Sequence, residues 1–274
     1  MNLWQSMLVG WIVMAAVMAG VWVWQKRHNN AGMVDVAWSF GTAGMCALFA
    51  INSTGLFYRR ILVASLAAIW GIRLGVHLYI RVTSETEDGR YQALRKSWGE
   101  NAQRKFFNFF QIQAAWTVLF ALPLYFAAGS IKPFPQLTDF LGIAIWIIAV
   151  GGESLADRQL ARFRHNPENK GRVCKSGLWR FSRHPNYFFE WLHWFSYVLI
   201  GIGAGYWWAT LFGPAIMFAF LYKVTGIPFT ERRALETRGD AYRQYQATTS
   251  AFFPWFAKDT ADQKPTNLNS KGRP

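Results

Sequence analysis

Stretches of mainly apolar residues recur along the whole chain, at roughly 3–24, 33–52, 61–82, 107–129, 138–156, 187–203 and 206–225. A bilayer core about 30 Å thick is crossed by about 20 such residues as helix, with every backbone N–H and C=O satisfied inside the segment. The pattern therefore predicts an all-α, polytopic membrane helix bundle of about seven transmembrane helices. The sixth run is the least regular, because its start overlaps a polar stretch. A mean hydropathy of only +0.08 averages these runs with strongly basic connections. The 15 Trp and 10 Tyr suit wide membrane interfaces, where amphipathic rings concentrate.

The connections orient the bundle. The formal net charge is +14, a value that first suggests nucleic acid. Here the basic residues fall between apolar runs, so membrane lipids and an anionic cofactor are the expected partners, and nucleic acid is not. With the N-terminus outside, only Arg59, Arg60 and Lys132 fall in outer loops, and Arg73 lies within a span. Lys and Arg otherwise gather on the cytoplasmic side, as the positive-inside rule requires. The C-terminus is then cytoplasmic. The first run has no basic leader and no cleavage site of small residues, so it reads as a retained helix. A single membrane domain is expected over 1–257, and 258–274, without periodicity, reads as a disordered tail. Cys46 and Cys174 make neither a disulfide framework nor a metal site, and the five His residues are scattered. Short loops favour a bacterial inner membrane, and a monomer is expected.

Ionisable groups in a span are costly and point to function by default. Asp35, near the start of the second run, and Arg73, in the third, are the two such groups. They either pair as bundle glue or serve chemistry, Asp35 as a neutral proton or hydrogen-bond donor in an apolar pocket and Arg73 as an anion contact. Glu153 and Asp157, four apart, share a helix face beside a basic loop. There they serve as hydrogen-bond acceptors for a ligand or as counter-charges. That loop interleaves Arg162, Arg164, Lys170, Arg172, Lys175, Arg180 and Arg183 with Asn166, Asn169, Ser182, His184, Asn186 and Tyr187. Arg forks fit phosphate bidentately, and the amides and hydroxyls suit ribose or a carboxamide. Neither GxGxxG nor GxxxxGK[ST] is present, so a nucleotide held here would not use a Rossmann or P-loop fold.

The stretch GLWRFSRHPNYFFE, then apolar runs, then ERRALETRGDAYRQY and FFP, resembles the C-terminal half of the steroid 5-alpha-reductase-like membrane enzymes. VDVAWSFG and EDGRYQALRKSW resemble the bacterial branch of that group, and the likeness covers about residues 30–257. The resemblance implies a seven-helix reductase that uses NADPH to saturate a carbon–carbon double bond conjugated to a ketone in a lipophilic substrate entering from the bilayer. The family's motif RxxxxGLxxxxxxxNxxxE falls on Arg172, Gly177, Leu178, Asn186 and Glu190. Its cofactor-contacting acid falls on Asp157, its loop arginine on Arg90 beside Tyr91, and its intramembrane arginine on Arg73. The steroid enzymes' Gln-Glu pair has no match, Asp35 being the nearest acid, and Trp70 stands where those enzymes carry a substrate-gripping tyrosine.

The expected mechanism binds NADPH phosphates on Arg90, Arg172, Arg180 and Arg183, with Asn186 and Glu190 on ribose or amide. Asp35 is the first candidate donor to the substrate oxygen, with Tyr79 or Tyr187 in reserve. The sequence is also similar to isoprenylcysteine and phospholipid methyltransferases, which implies S-adenosylmethionine as the alternative cofactor. Arg183, His184, Glu231 and Arg232 would then form its site. A non-enzymatic transporter is the third reading.

Overall fold

A computed structural model describes residues 1–224 and 226–257; the expected tail at 258–274 lies outside the described residues. The helices are α1 (Leu3–His28), α2 (Met33–Asn52), α3 (Phe57–Ser84), α4 (Gly89–Trp98), α5 (Ala102–Ala127), α6 (Leu137–His165), α7 (Pro185–Gly201), α8 (Phe212–Ala219) and α9 (Ile227–Thr248). Among the described residues there is no β-strand, so the all-α architecture is as expected.

Six helical stretches among the described residues are long and apolar enough to cross a membrane: α1, α2, α3, α4 with α5, α6, and Trp207 to Thr248. The expectation of about seven differs by one, at the sixth run. That run folds as α7, which has 17 residues and so is about 25 Å long, short of a 30 Å core. Helix α6 in turn runs past the expected 156 to His165, which puts Arg162 and Arg164 on a helix and not in a loop. Helix α9 stops at Thr248 and kinks at Gly239, whose φ is 49°.

The described chain forms two compact units, one of Met1–Gly151 and Phe189–Phe229, the other of Gly152–Phe188 and the chain from Thr230. In the first, α2 packs on α3, α5 and α1 around buried Trp70, Phe106, Phe110, Phe120 and Leu124. Helices α2 and α3 approach almost to backbone contact: a Cβ on Gly71 would lie 2.2 Å from Ala43 Cβ. Small residues permit such approach in lipid, where van der Waals packing holds helices together. Large apolar side chains such as Leu8, Ile12, Ile69, Ile72 and Ile147 stay more than half exposed, as a hydrocarbon-facing surface requires. Helix α1 starts from a capping box, Asn2 and Gln5 bonding each other's backbone N–H.

Arg59 sits in the first turn of α3, so the helix begins before the run predicted at 61–82. The residue is not in an open loop: it is 1% exposed. Its guanidinium donates to Asp139 through Nε (3.1 Å) and Nη2 (2.8 Å). It donates further to the carbonyls of Ser130, Lys132 and Pro133.

In the second unit, α9 covers the 172–183 segment. Tyr245 Oη donates to the carbonyls of Trp179 and Ser182, and Trp179 Nε1 donates to Ala156 O at 3.0 Å.

Candidate functional site

Two polar clusters of the first unit hold candidate site residues. Asp35, on the first turn of α2, accepts from Arg90 Nη2 at 2.7 Å and from Tyr91 Oη at 2.6 Å. Arg90 Nε also donates to Asp88 Oδ1 at 3.2 Å, and Arg81 donates to Asp88 Oδ2. Asp88 caps α4, accepting from the N–H of Arg90 at 2.9 Å. Burial works to raise its pKa, but the charges of Arg90 and Arg81 and these bonds hold it below the ordinary carboxylate value. The resemblance paired Arg90 with Tyr91; the fold brings both to Asp35. In this arrangement Asp35 is the acceptor of both bonds. Tyr79, the reserve donor, stands half exposed on α3.

The second cluster lies deeper, between α3 and α7. Trp70 Nε1 donates to Glu190 Oε2 at 2.9 Å, and both residues are buried. His193 stacks on the Trp70 ring, centroids 4.7 Å apart and planes at 23°. Trp194 meets Trp70 edge-on at 6.0 Å. His193 Nδ1 lies 2.6 Å from Glu190 O and 3.7 Å from Glu190 Oε1. Arg73, three residues after Trp70 on α3, brings a positive charge near enough to act on His193. The resemblance marked Glu190 and Arg73 and set Trp70 apart as a departure. In the sequence His193 is only one of five scattered histidines, and the signal that could have raised it is Glu-x-x-His on one turn of helix.

In the second unit, Asn186 Nδ2 donates to Asp157 Oδ1 at 3.2 Å, joining two residues that the resemblance assigned separately to the cofactor. Gly177 has φ +60°, and a Cβ there would lie 2.5 Å from the Gln159 side chain. Gln159 Oε1 accepts from Leu178 N at 2.8 Å. The Gly-Leu of the motif thus holds a tight 3₁₀ turn, Gly177–Arg180, against α6. Arg172, Arg180 and Arg232 are exposed.

Arg183 is not displayed in this way. Its Nε and Nη2 grip Glu231 at 2.6 and 3.1 Å, and its Nη1 donates to the carbonyls of Gln246 and Thr249 at the end of α9. Glu231 also accepts from Gln246 Nε2 at 2.7 Å and Tyr242 Oη at 3.3 Å. Arg183 and Glu231 therefore tie the end of α9 to the start of α7. His184 Nδ1 lies 3.0 Å from Ala251 O, and its ring stacks on Tyr187, centroids 5.3 Å apart. Burial, with the Arg183 charge, outweighs the Ala251 bond and Glu231 and pushes the His184 pKa down to about 4. Tyr187 Oη lies 3.3 Å from Thr230 Oγ1.

An uncharacterised protein of Schizosaccharomyces pombe is 28% identical to this chain, over 88% of this chain and 77% of its own length. The profile of a family described as "Protein of unknown function (DUF1295)" matches residues 21–249. That match covers most of the sequence, and on it the chain belongs to the DUF1295 family.

Proposed function

We propose that the protein is a membrane reductase that uses NADPH to saturate a conjugated carbon–carbon double bond in a lipophilic enone. The bond between Asn186 and Asp157 is the observation that carries this reading. Two positions 29 residues apart, each matched independently to the cofactor site of a reductase family, meet in one hydrogen-bonded pair. The donor set around them suits a dinucleotide phosphate: Arg172, Arg180 and Arg232 are exposed in the same unit. Exposed guanidinium groups are free to take phosphate oxygens in pairs.

When bound, NADPH supplies a hydride for the β-carbon of the enone. The chain has three tasks around it. Arg172, Arg180 and Arg232 hold phosphate. The Asn186–Asp157 pair orients ribose or carboxamide. In the first unit Tyr91, whose single proton now lies on its bond to Asp35, donates to the substrate oxygen by turning that proton away from Asp35 as the oxygen gains negative charge. Arg183 and Glu231 support this arrangement by fixing the fold, and they are not ligands in this reading.

Titration calorimetry of the detergent-purified protein with NADPH, NADH and S-adenosylmethionine tests the reading. Binding of NADPH about ten-fold or more tighter than NADH, the worth of one charged hydrogen bond, is the expected result. Preference for S-adenosylmethionine would overturn it.

A further inference from the structure

The chain beyond α9 is non-helical and runs Phe252-Phe253-Pro254-Trp255-Phe256, four aromatic rings in five residues. Such a run would ordinarily close a core. Only Phe252 does so, at 1% exposed, whereas Phe253, Trp255 and Phe256 are 51%, 73% and 76% exposed. Their exposure is not that of a fraying end. Ser182 Oγ donates to Phe252 O at 2.9 Å, Trp255 N to Phe181 O at 2.9 Å, and Arg183 N to Ser250 O at 2.8 Å. The backbone on both sides of Pro254 is thus fastened to 181–183, with three large rings left outside. All three line one groove of about 450 Å³, whose other walls are Arg183 and the polar end of α9 with the turn after it, 246–251. A contiguous apolar patch rimmed by polar groups marks a surface that something covers.

We propose that 252–256 is an interfacial anchor: Phe253, Trp255 and Phe256 insert into the headgroup boundary of the bilayer that the long helices cross, and Arg180 meets an anionic lipid there. The residue types suit that partner, because Trp and Phe beside cations are what segments lying in a membrane interface present. Charge is complementary as well. Arg180 is exposed, with its guanidinium 4.4 Å from the centre of the Phe181 ring. Phe181 in turn meets Phe256 edge-on at 5.9 Å. A cation therefore stands beside the aromatic patch, where a lipid phosphate would lie against it. The patch belongs to a chain with six stretches long and apolar enough to cross a membrane, so a bilayer surface needs no recruitment. The anchor goes beyond the reductase reading and does not depend on it. Its effect is to hold at the membrane surface the junction that Arg183 and Glu231 make between the ends of α7 and α9.

The test places a nitroxide at Ala257→Cys, an exposed position next to the patch, in the full chain. The protein is studied in nanodiscs of phosphatidylcholine with and without phosphatidylglycerol. NADPH is left out, so that no cofactor phosphate competes for Arg180. Cys46 and Cys174 are buried, and the wild type serves as the labelling blank. A second label at Asp240→Cys, on an exposed part of α9, reports water. Power saturation compares collisions with oxygen, which concentrates in lipid, and with a water-soluble nickel chelate. The label at 257 is expected to favour oxygen and the label at 240 nickel, with a larger contrast when phosphatidylglycerol is present. Trp255→Ser combined with Phe256→Ser should reverse the reading at 257, and Arg180→Gln should remove only the phosphatidylglycerol increment. A label at 257 that favours nickel, as at 240, would overturn the proposal. So would a label shielded from both reagents, which would assign the patch to a protein contact such as a second copy of this chain.

Discussion

At the scale of the residue, the groups with most to say are those whose charge has been committed. Asp35 takes both Arg90 and Tyr91, so Asp35→Asn is expected to lower kcat by about a hundredfold with little change in NADPH affinity. Steady-state kinetics beside calorimetry separates the two, and unchanged turnover would remove Asp35 from catalysis. Arg172→Ala is expected to weaken NADPH by about ten-fold or more and NADH much less, if the side chain meets the extra phosphate; equal losses would place it elsewhere. His184 bears on pH. Its folded-state pKa of about 4 lies below the ordinary value near 6.5, so below about 6.5 the unfolded chain takes up a proton that the folded one refuses. Stability should fall between about pH 6.5 and 4, by about 3 kcal/mol at about 1.4 kcal/mol per pH unit. Asp88 is displaced in the same direction, downward: its contribution is full above the ordinary carboxylate value and is lost only at lower pH. Acid melting curves of His184→Phe should therefore be flat across the upper window while the wild type slopes; two parallel slopes would contradict the assignment.

At the scale of the element, much was legible. Apolar runs of the right length gave α1, α2 and the body of α5 because the bilayer demands continuous helix. The ends were harder. Helix α6 continues through Arg162 and Arg164 to His165, since Arg and Lys are good helix formers and nothing in the sequence stops them before Asn166. The motif residues Asn186 and Asp157 could be matched one by one, but no periodicity reveals that residues so far apart share a hydrogen bond. Arg183 was legible as a cation and not as a clamp, because its partners, Glu231 and two carbonyls of α9, depend on tertiary contact. Close packing of α2 on α3 is equally hidden until a Cβ is imagined on Gly71. Gly71→Ala should lower stability by about 1–3 kcal/mol through overpacking. Ala43→Gly in the same chain should restore most of it, and thermal melts of the two variants in detergent decide the matter. No rescue would mean that the helices yield elsewhere.

At the scale of the whole molecule, helix number has a parity. Six crossings return the chain to the side where it began, and seven leave its ends on opposite sides. Helix α7, with 17 residues, is the one that decides. The expected orientation, with the N-terminus outside and the C-terminus in the cytoplasm, requires α7 to cross, near the lower limit of spanning length. Reporter fusions after residue 257 should be active only as cytoplasmic reporters, and fusions at the N-terminus only as external ones; matching results at both ends would take α7 out of the bilayer. The Arg59 site has a further consequence, in time as well as space. Its carboxylate partner Asp139 lies 80 residues later in the chain. At a synthesis rate of about 5–20 residues per second, α3 waits about 4–16 s for α6 with a guanidinium that only α6 and the turn before it can satisfy. A nascent chain stalled before Asp139 is thus marked as unfinished by a single unmatched charge. Stalled chains should turn over faster with Arg59 than with Arg59→Met in a pulse-chase, and equal lifetimes would show that the cell does not read the mark.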